Sequence, residues 1–136
     1  MRKLLITLGL ALLLAGTHQA SGQKTGRQKP KYEAQISFDA AEHDFGVIME
    51  GSKKASYDYV FTNTGKHPLV ITRVTASCKC MDFEYSRRPV PPGGRGVITA
   101  TYNPRKQHGI FYKAIQIYAN TPEERHVIIA KGEVKP

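Results

Sequence analysis

The sequence predicts an all-β protein: two antiparallel sheets stacked as a sandwich of about seven to eight strands. Three observations predict it. Short extended runs recur at the spacing of 8 to 12 residues typical of sandwiches. Proline and glycine punctuate them, as in Pro89-Val90-Pro91-Pro92-Gly93-Gly94 and Asn120-Thr121-Pro122. No window shows the 3.6-residue apolar period of an amphipathic helix.

The elements follow in order. Gln35 to Asp39 alternates Ile36 and Phe38 against polar neighbours, and Asp44 to Met49 repeats the signal around Gly46, a candidate bulge. After the Glu50-Gly51-Ser52 turn, Ala55, Tyr57, Tyr59 and Phe61 fall at every second position, the clearest strand signal in the chain. These aromatic residues read as core or cross-strand packing before they read as a binding patch, and Tyr118 is read with them. Asn63 to Pro68 combines residues that tolerate or pre-set turn dihedrals, so a hairpin is expected into Leu69 to Ala76. That β-branched run is expected to be buried on nearly both faces.

Met81 to Tyr85 alternates weakly, and the prolines after it cannot donate to a central ladder, which makes them a loop or an edge crossing. Gly96 to Asn103, Phe111 to Ala119 and Arg125 to Val134 complete the set. In the last run either Val127 with Ile129, or Ile128 with Ala130 and Val134, faces inward. The fold expected is an immunoglobulin-like antiparallel β-sandwich, with a small closed barrel as the alternative. Kinship to antibody domains is architectural only, because there is no Trp and the two cysteines are a single residue apart.

Domain organisation is read from composition. In a chain of 136 residues, Arg2 and Lys3 precede an apolar run from Leu4 to Ala15, and small and polar residues follow to Gly22. Residues 1–22 are expected to be a secretory signal peptide. Cleavage after Gly22 places Ala20 and Gly22 where a signal peptidase reads small residues; cleavage after Ala20 is the competitor and places His18 there. The run is shorter than the roughly 20 residues of a membrane-spanning helix. A retained membrane anchor is the alternative reading. No cysteine lies just after the run, where a bacterial lipid anchor would attach. Residues 23–34 read as a basic flexible arm, and residues 35–136 as the sandwich domain. The product is expected to be exported, periplasmic or extracellular.

The formal charge is +9, but the body from Gln35 onward holds 14 basic and 10 acidic residues. Without clustered basic residues and stacking aromatics, nucleic-acid binding is not indicated. The chain offers little by way of catalytic patterns. His43, His67, His108 and His126 show no metal-ligand spacing, Glu123-Glu124 sits in a turn, and there is neither a G-x-S-x-G elbow nor a phosphate loop. No catalytic residue, cofactor or small-molecule substrate is identified. A protein is the expected partner.

The one unusual chemistry is Cys78-Lys79-Cys80. In an extended strand, residues i and i+2 lie about 6.6 Å apart on one face, at the upper limit for a disulfide, so a bridge requires the chain to bend. Three readings stand together. The pair finishes a strand end as a bridge or as half-buried thiols. It is redox-active, with Lys79 favouring thiolate. Or it holds Cu(I), with Met81 or His67 nearby.

The series Phe45-Gly46-Val47-Ile48, Glu50-Gly51, Phe61-Thr62-Asn63-Thr64-Gly65, Pro68-Leu69-Val70-Ile71, Ser77-Cys78-Lys79-Cys80, Pro92-Gly93 and Lys131-Gly132-Glu133-Val134 resembles the bacterial family called domain of unknown function 1573. The resemblance runs from about Phe38 to Val134. It implies an immunoglobulin-like fold in exported proteins, related in architecture to sperm-protein-like and cilium-associated binding domains, and no established activity. Family members typically carry Cys-Gly-Cys-Thr where this chain has Cys78-Lys79-Cys80-Met81, and Lys adopts φ > 0 less readily than Gly. The expectation is therefore a non-enzymatic, exported binding module, with a thiol-redox or Cu(I)-handling role for Cys78 and Cys80 as the alternative.

Overall fold

The computed structural model describes residues 33–136. The expected leader, its cleavage site and the arm up to Tyr32 lie outside the described residues. Eight strands form: β1 (Ile36–Phe38), β2 (Glu42–Met49), β3 (Ala55–Asn63), β4 (Ile71–Ala76), β5 (Met81–Tyr85), β6 (Arg95–Tyr102), β7 (Gly109–Ala119) and β8 (Arg125–Lys135). They make two four-stranded sheets, in the orders β1-β3-β6-β5 and β2-β8-β7-β4. The immunoglobulin-like sandwich is the observed class, and among the described residues four edges stay open where a barrel would have none.

All ladders are antiparallel except β2 with β8, which is parallel. The chain crosses from the first sheet to the second within Asp39 to Ala41, so β2 enters alongside β8 in the same direction. Gly46, at φ 68°, sits in the register shift between Asp44 and Val47, which makes it the bulge read from the sequence. The Asp44 carboxylate accepts the Gly46 N–H at 2.8 Å and holds that kink.

Alternation decides the core. Tyr59 and Phe61 of β3, Ile98, Ala100 and Tyr102 of β6, Ile115 and Ile117 of β7, and Ile128, Ala130 and Val134 of β8 are buried between the sheets. Ile128 is fully buried and Val127 is 48% exposed, which resolves the β8 register. Tyr102 stacks on Phe111 with centroids 4.1 Å apart, and the Tyr59 hydroxyl donates to the Ile129 carbonyl at 2.8 Å, so each pair ties one sheet to the other. Burial pushes the Tyr59 phenol far above its ordinary pKa, with Tyr57 and Glu42 adding to the effect.

Two expectations need correction. The hairpin through Asn63 to Pro68 does not form: β3 and β4 belong to different sheets, and the turn carries the chain across the sandwich. Leu69 and Ile71 are buried deeply enough to draw the chain into the second layer, and Leu69 pairs with Val90 in an isolated bridge instead of with β3. Nor is β4 covered on both faces. It is an edge strand with Thr72 and Arg73 exposed, its threonines facing outward while Ile71 and Val74 face the core. Ala34, read as part of the arm, is buried. The Glu33 carbonyl accepts the Lys66 N–H at 3.1 Å and docks this segment against the crossover turn.

Candidate functional site

The two cysteines lie where the chain makes its fourth passage between sheets, from β4 at one edge to β5 at the corresponding edge of the other sheet. Residues 77–80 bend there, and Cys78 and Cys80 are joined by a disulfide with their Cα atoms 5.2 Å apart. That is shorter than an extended strand provides, so the bend supplies the closure. Lys79 is not among the residues with positive φ, and the bridge closes without the conformation that glycine would favour. Cys80 is buried, Cys78 half-buried and Lys79 exposed. The Cys80 carbonyl accepts the Asn103 N–H at 2.8 Å, which fastens this turn to the β6–β7 loop.

The other residues considered for a metal site are not gathered here. Met81 follows the pair but is buried in the core. His67 lies in the crossover turn, where its carbonyl accepts an N–H of Asn63 at the far end of β3, the length of a sheet away from the disulfide. Among the described residues, no three His, Cys, Asp or Glu side chains cluster as metal ligands. His43 stacks on Tyr57 at 3.6 Å, and burial lowers its pKa despite the charge of Asp44. His108 pairs with Glu50 at 3.5 Å beside the β6–β7 turn. His126 meets the Thr121 hydroxyl at 2.7 Å next to a hollow lined by Glu33, Gln35 and Glu123, and burial lowers its pKa also.

Tyr57, Tyr59 and Phe61 pack inward, and Tyr118 lies outward under the Arg73 guanidinium, 4.0 Å from its ring centre. Two surfaces escaped the sequence reading. On the outer face of the second sheet, Val47, Tyr112 and an 86%-exposed Ile110 surround a hollow of about 430 Å³. Ile110 was legible only once β7 was known to start at Gly109, which continues the alternation two residues upstream. Along the free side of β5, between it and β4, runs a groove of about 600 Å³ floored by Val74, Met81, Phe83 and Tyr85. Weak alternation in five residues gave no hint of it.

The family model described as "Protein of unknown function (DUF1573)" matches residues 36–134, all of the sandwich but the last residue of β8. The chain belongs to this family. No curated protein matches it. Among solved structures, the DUF1573 domain is similar to a protein of unknown function from Porphyromonas gingivalis W83, at 17% identity with a TM-score of 0.69, over 80% of this chain and 51% of that one. It is similar to the ASH/PapD-like domain 7 of human CEP192 at 8% identity and a TM-score of 0.60, over 96% and 98%. A third likeness is to the secreted serine protease VesC of Vibrio cholerae, at 14% identity and a TM-score of 0.58, over 74% and 23%. The DUF1573 chain thus spans about half of the P. gingivalis protein and less than a quarter of VesC. At these identities the likenesses show the fold.

Proposed function

We propose that this DUF1573 protein is an exported, non-enzymatic module that binds another envelope or secreted protein through its loops or a sheet edge. The observation that carries the reading is the set of open edges. Two sheets bury their own core and, among the described residues, still leave β1, β2, β4 and β5 with one unpaired side each, where a partner strand adds without disturbing the domain. The apolar residues around Ile110 add a second surface of the kind that mediates contact. Export follows from the charged, apolar and small-residue pattern of residues 1–22.

Crosslinking in intact cells followed by purification of the tagged protein tests this. One reproducible envelope partner, lost when surface residues of the domain are changed, is the expected result. Repeated recovery of the protein alone counts against it.

A second reading rests on the cysteine pair. A bridge between residues two apart, with one sulfur-bearing residue half-exposed beside a lysine, suits thiol–disulfide exchange, and its reduced form presents two thiolates suited to Cu(I). Thiol titration before and after reduction, with and without Cu(I), separates these roles. Thiols that neither exchange nor bind the metal retire both.

A further inference from the structure

We infer that the free side of β5 captures an extended segment of a partner protein in which basic residues alternate with apolar ones. The inference rests on the reading of the domain as a protein-binding module and names its site.

The four edges are not equivalent. β1 is three residues long. β2 is kinked by the Gly46 bulge. β4 shifts register between Ile71 and Arg73. Short length, bulges and irregular register are the features that blunt an edge against strand addition. β5, five residues long, has neither a bulge nor a register shift. It pairs residue for residue with β6 from Met81–Tyr102 to Tyr85–Ile98, and no described strand lies on its other side. It contains no proline, lysine or inward-pointing charge. The disulfide immediately before it and the Cys80–Asn103 backbone bond hold its first residue in place.

Side chains around that edge define what fits. Toward the sandwich, Phe83 and Tyr85 are only half-buried and border the groove with Val74, and the one cation that lines it, Arg87, lies past the end of β5 over the Tyr85 ring, 5.8 Å from its centre. A strand laid beside β5 therefore covers apolar surface with every second residue. Away from the core, Asp82 and Glu84 are exposed, and Asp58 lies two strands over in the row of Glu84 and Thr99. The intervening residues of an added strand project beside these carboxylates. Asp82 already attracts one cation, Lys54, at 3.1 Å.

The same charges argue against a second copy pairing through β5. Two β5 strands side by side bring Asp82 and Glu84 of one against those of the other, and like charges across a ladder are destabilising. A basic partner strand relieves the repulsion that a copy creates.

The test uses the full-length protein and a capped peptide, Lys-Val-Lys-Val-Lys-Val-Lys, followed by fluorescence anisotropy and by hydrogen exchange of the protein. Expected are saturable binding, slowed exchange confined to residues 81–85, and weakening as salt is raised. Glu84→Lys is expected to lose at least tenfold in affinity, and Glu124→Lys, in the β7–β8 turn, to change it little. A Glu-Val alternating peptide, and the basic peptide N-methylated at two adjacent central residues so that both its edges are blocked, are expected not to bind. Equal binding of the acidic peptide, indifference to Glu84→Lys, or protection at another edge overturns the inference. So does protection, in the free protein, of the β5 amides that point away from β6, which means that the chain or a second copy fills the edge. A native partner crosslinked only to the loops or to the Ile110 face rejects this site and leaves the binding module standing; absence of any partner rejects the module itself.

Discussion

The Asn63 side chain donates to the Val90 carbonyl at 2.9 Å, joining the end of β3 to the proline-rich loop that precedes β6. The same amide nitrogen donates to the His67 carbonyl at 2.6 Å, and its oxygen accepts the N–H groups of Gly65 at 3.0 Å and Gln35 at 3.4 Å. Its backbone exchanges bonds with Gly93 and Gly94. One buried amide thus satisfies four polar groups from three segments where the chain leaves one sheet for the other. Asn63→Leu is expected to destabilise the domain by about 3 kcal/mol or more, because several buried partners lose their bonds together. Asn63→Asp retains the acceptor and loses the donor, and is also expected to be destabilised. Urea unfolding of the two variants measures both.

Gly65 makes the same junction possible by being small. A Cβ there would lie 2.2 Å from the Glu33 carbonyl oxygen and 2.5 Å from the Gln35 nitrogen, both backbone atoms of the segment packed against the turn. Gly65→Ala is expected to cost about 2 kcal/mol and to loosen Ala34 from the core, since the backbone must move to relieve the overlap. Thermal unfolding reports the first effect. Faster amide exchange at Lys66, whose N–H is bonded to Glu33, reports the second.

The register of β8 gives a paired prediction. Ile128 is fully buried, whereas Val127 stands on the outer face. Ile128→Ala is expected to cost about 2 to 5 kcal/mol through lost burial and the cavity left behind. Val127→Ala is expected to cost under about 0.5 kcal/mol. Equal effects from the two, in the same unfolding assay, overturn the observed register.

Most of the sandwich was legible because burial imposes a two-residue period, and Tyr57-Tyr59-Phe61 or Ile115-Ile117 show it plainly. Turn residues could not say which sheet the chain rejoins. Asn63 to Pro68 looks the same whether it closes a hairpin or a crossover; what decided it was the pull of Leu69 and Ile71 into the opposite layer, a tertiary effect. The parallel β2–β8 ladder was hidden for the same reason, since it depends on strands more than 80 residues apart. Of the candidate site, Cys78 and Cys80 were visible as residues, but their bridge needed a bend that no residue type announces. The β5 groove depends on Val74 of the other sheet and left no trace in local sequence.

The bridge between Cys78 and Cys80 closes so short a loop that it removes little entropy from the unfolded chain. Reduction, or the Cys78→Ser/Cys80→Ser double variant, is expected to leave the sandwich folded and to cost no more than about 1 to 2 kcal/mol, below most structural disulfides. Denaturant midpoints with and without reductant measure the cost. Global unfolding on reduction contradicts it.

Acid sensitivity is expected to come through His126. The Thr121 hydroxyl has a single hydrogen and gives it to the Glu123 carbonyl at 2.9 Å. The His126 Nε2 therefore carries a hydrogen and donates it to the Thr121 oxygen at 2.7 Å, which fixes the neutral tautomer. Burial lowers the pKa of this imidazole, and the charge of Glu123 only partly offsets it. Between that lowered value and the ordinary value of about 6.5, the unfolded chain binds more protons than the folded one. Stability thus rises with pH across the window, is complete above it, and falls as pH drops below about 6.5. His43, lowered by burial against Tyr57, contributes with the same sign. Unfolding free energies measured from pH 8 to pH 5 are expected to decrease toward acid, with the decrease smaller in His126→Gln and smaller again when His43→Gln is added. An unchanged slope in the double variant would assign the acid sensitivity to other groups.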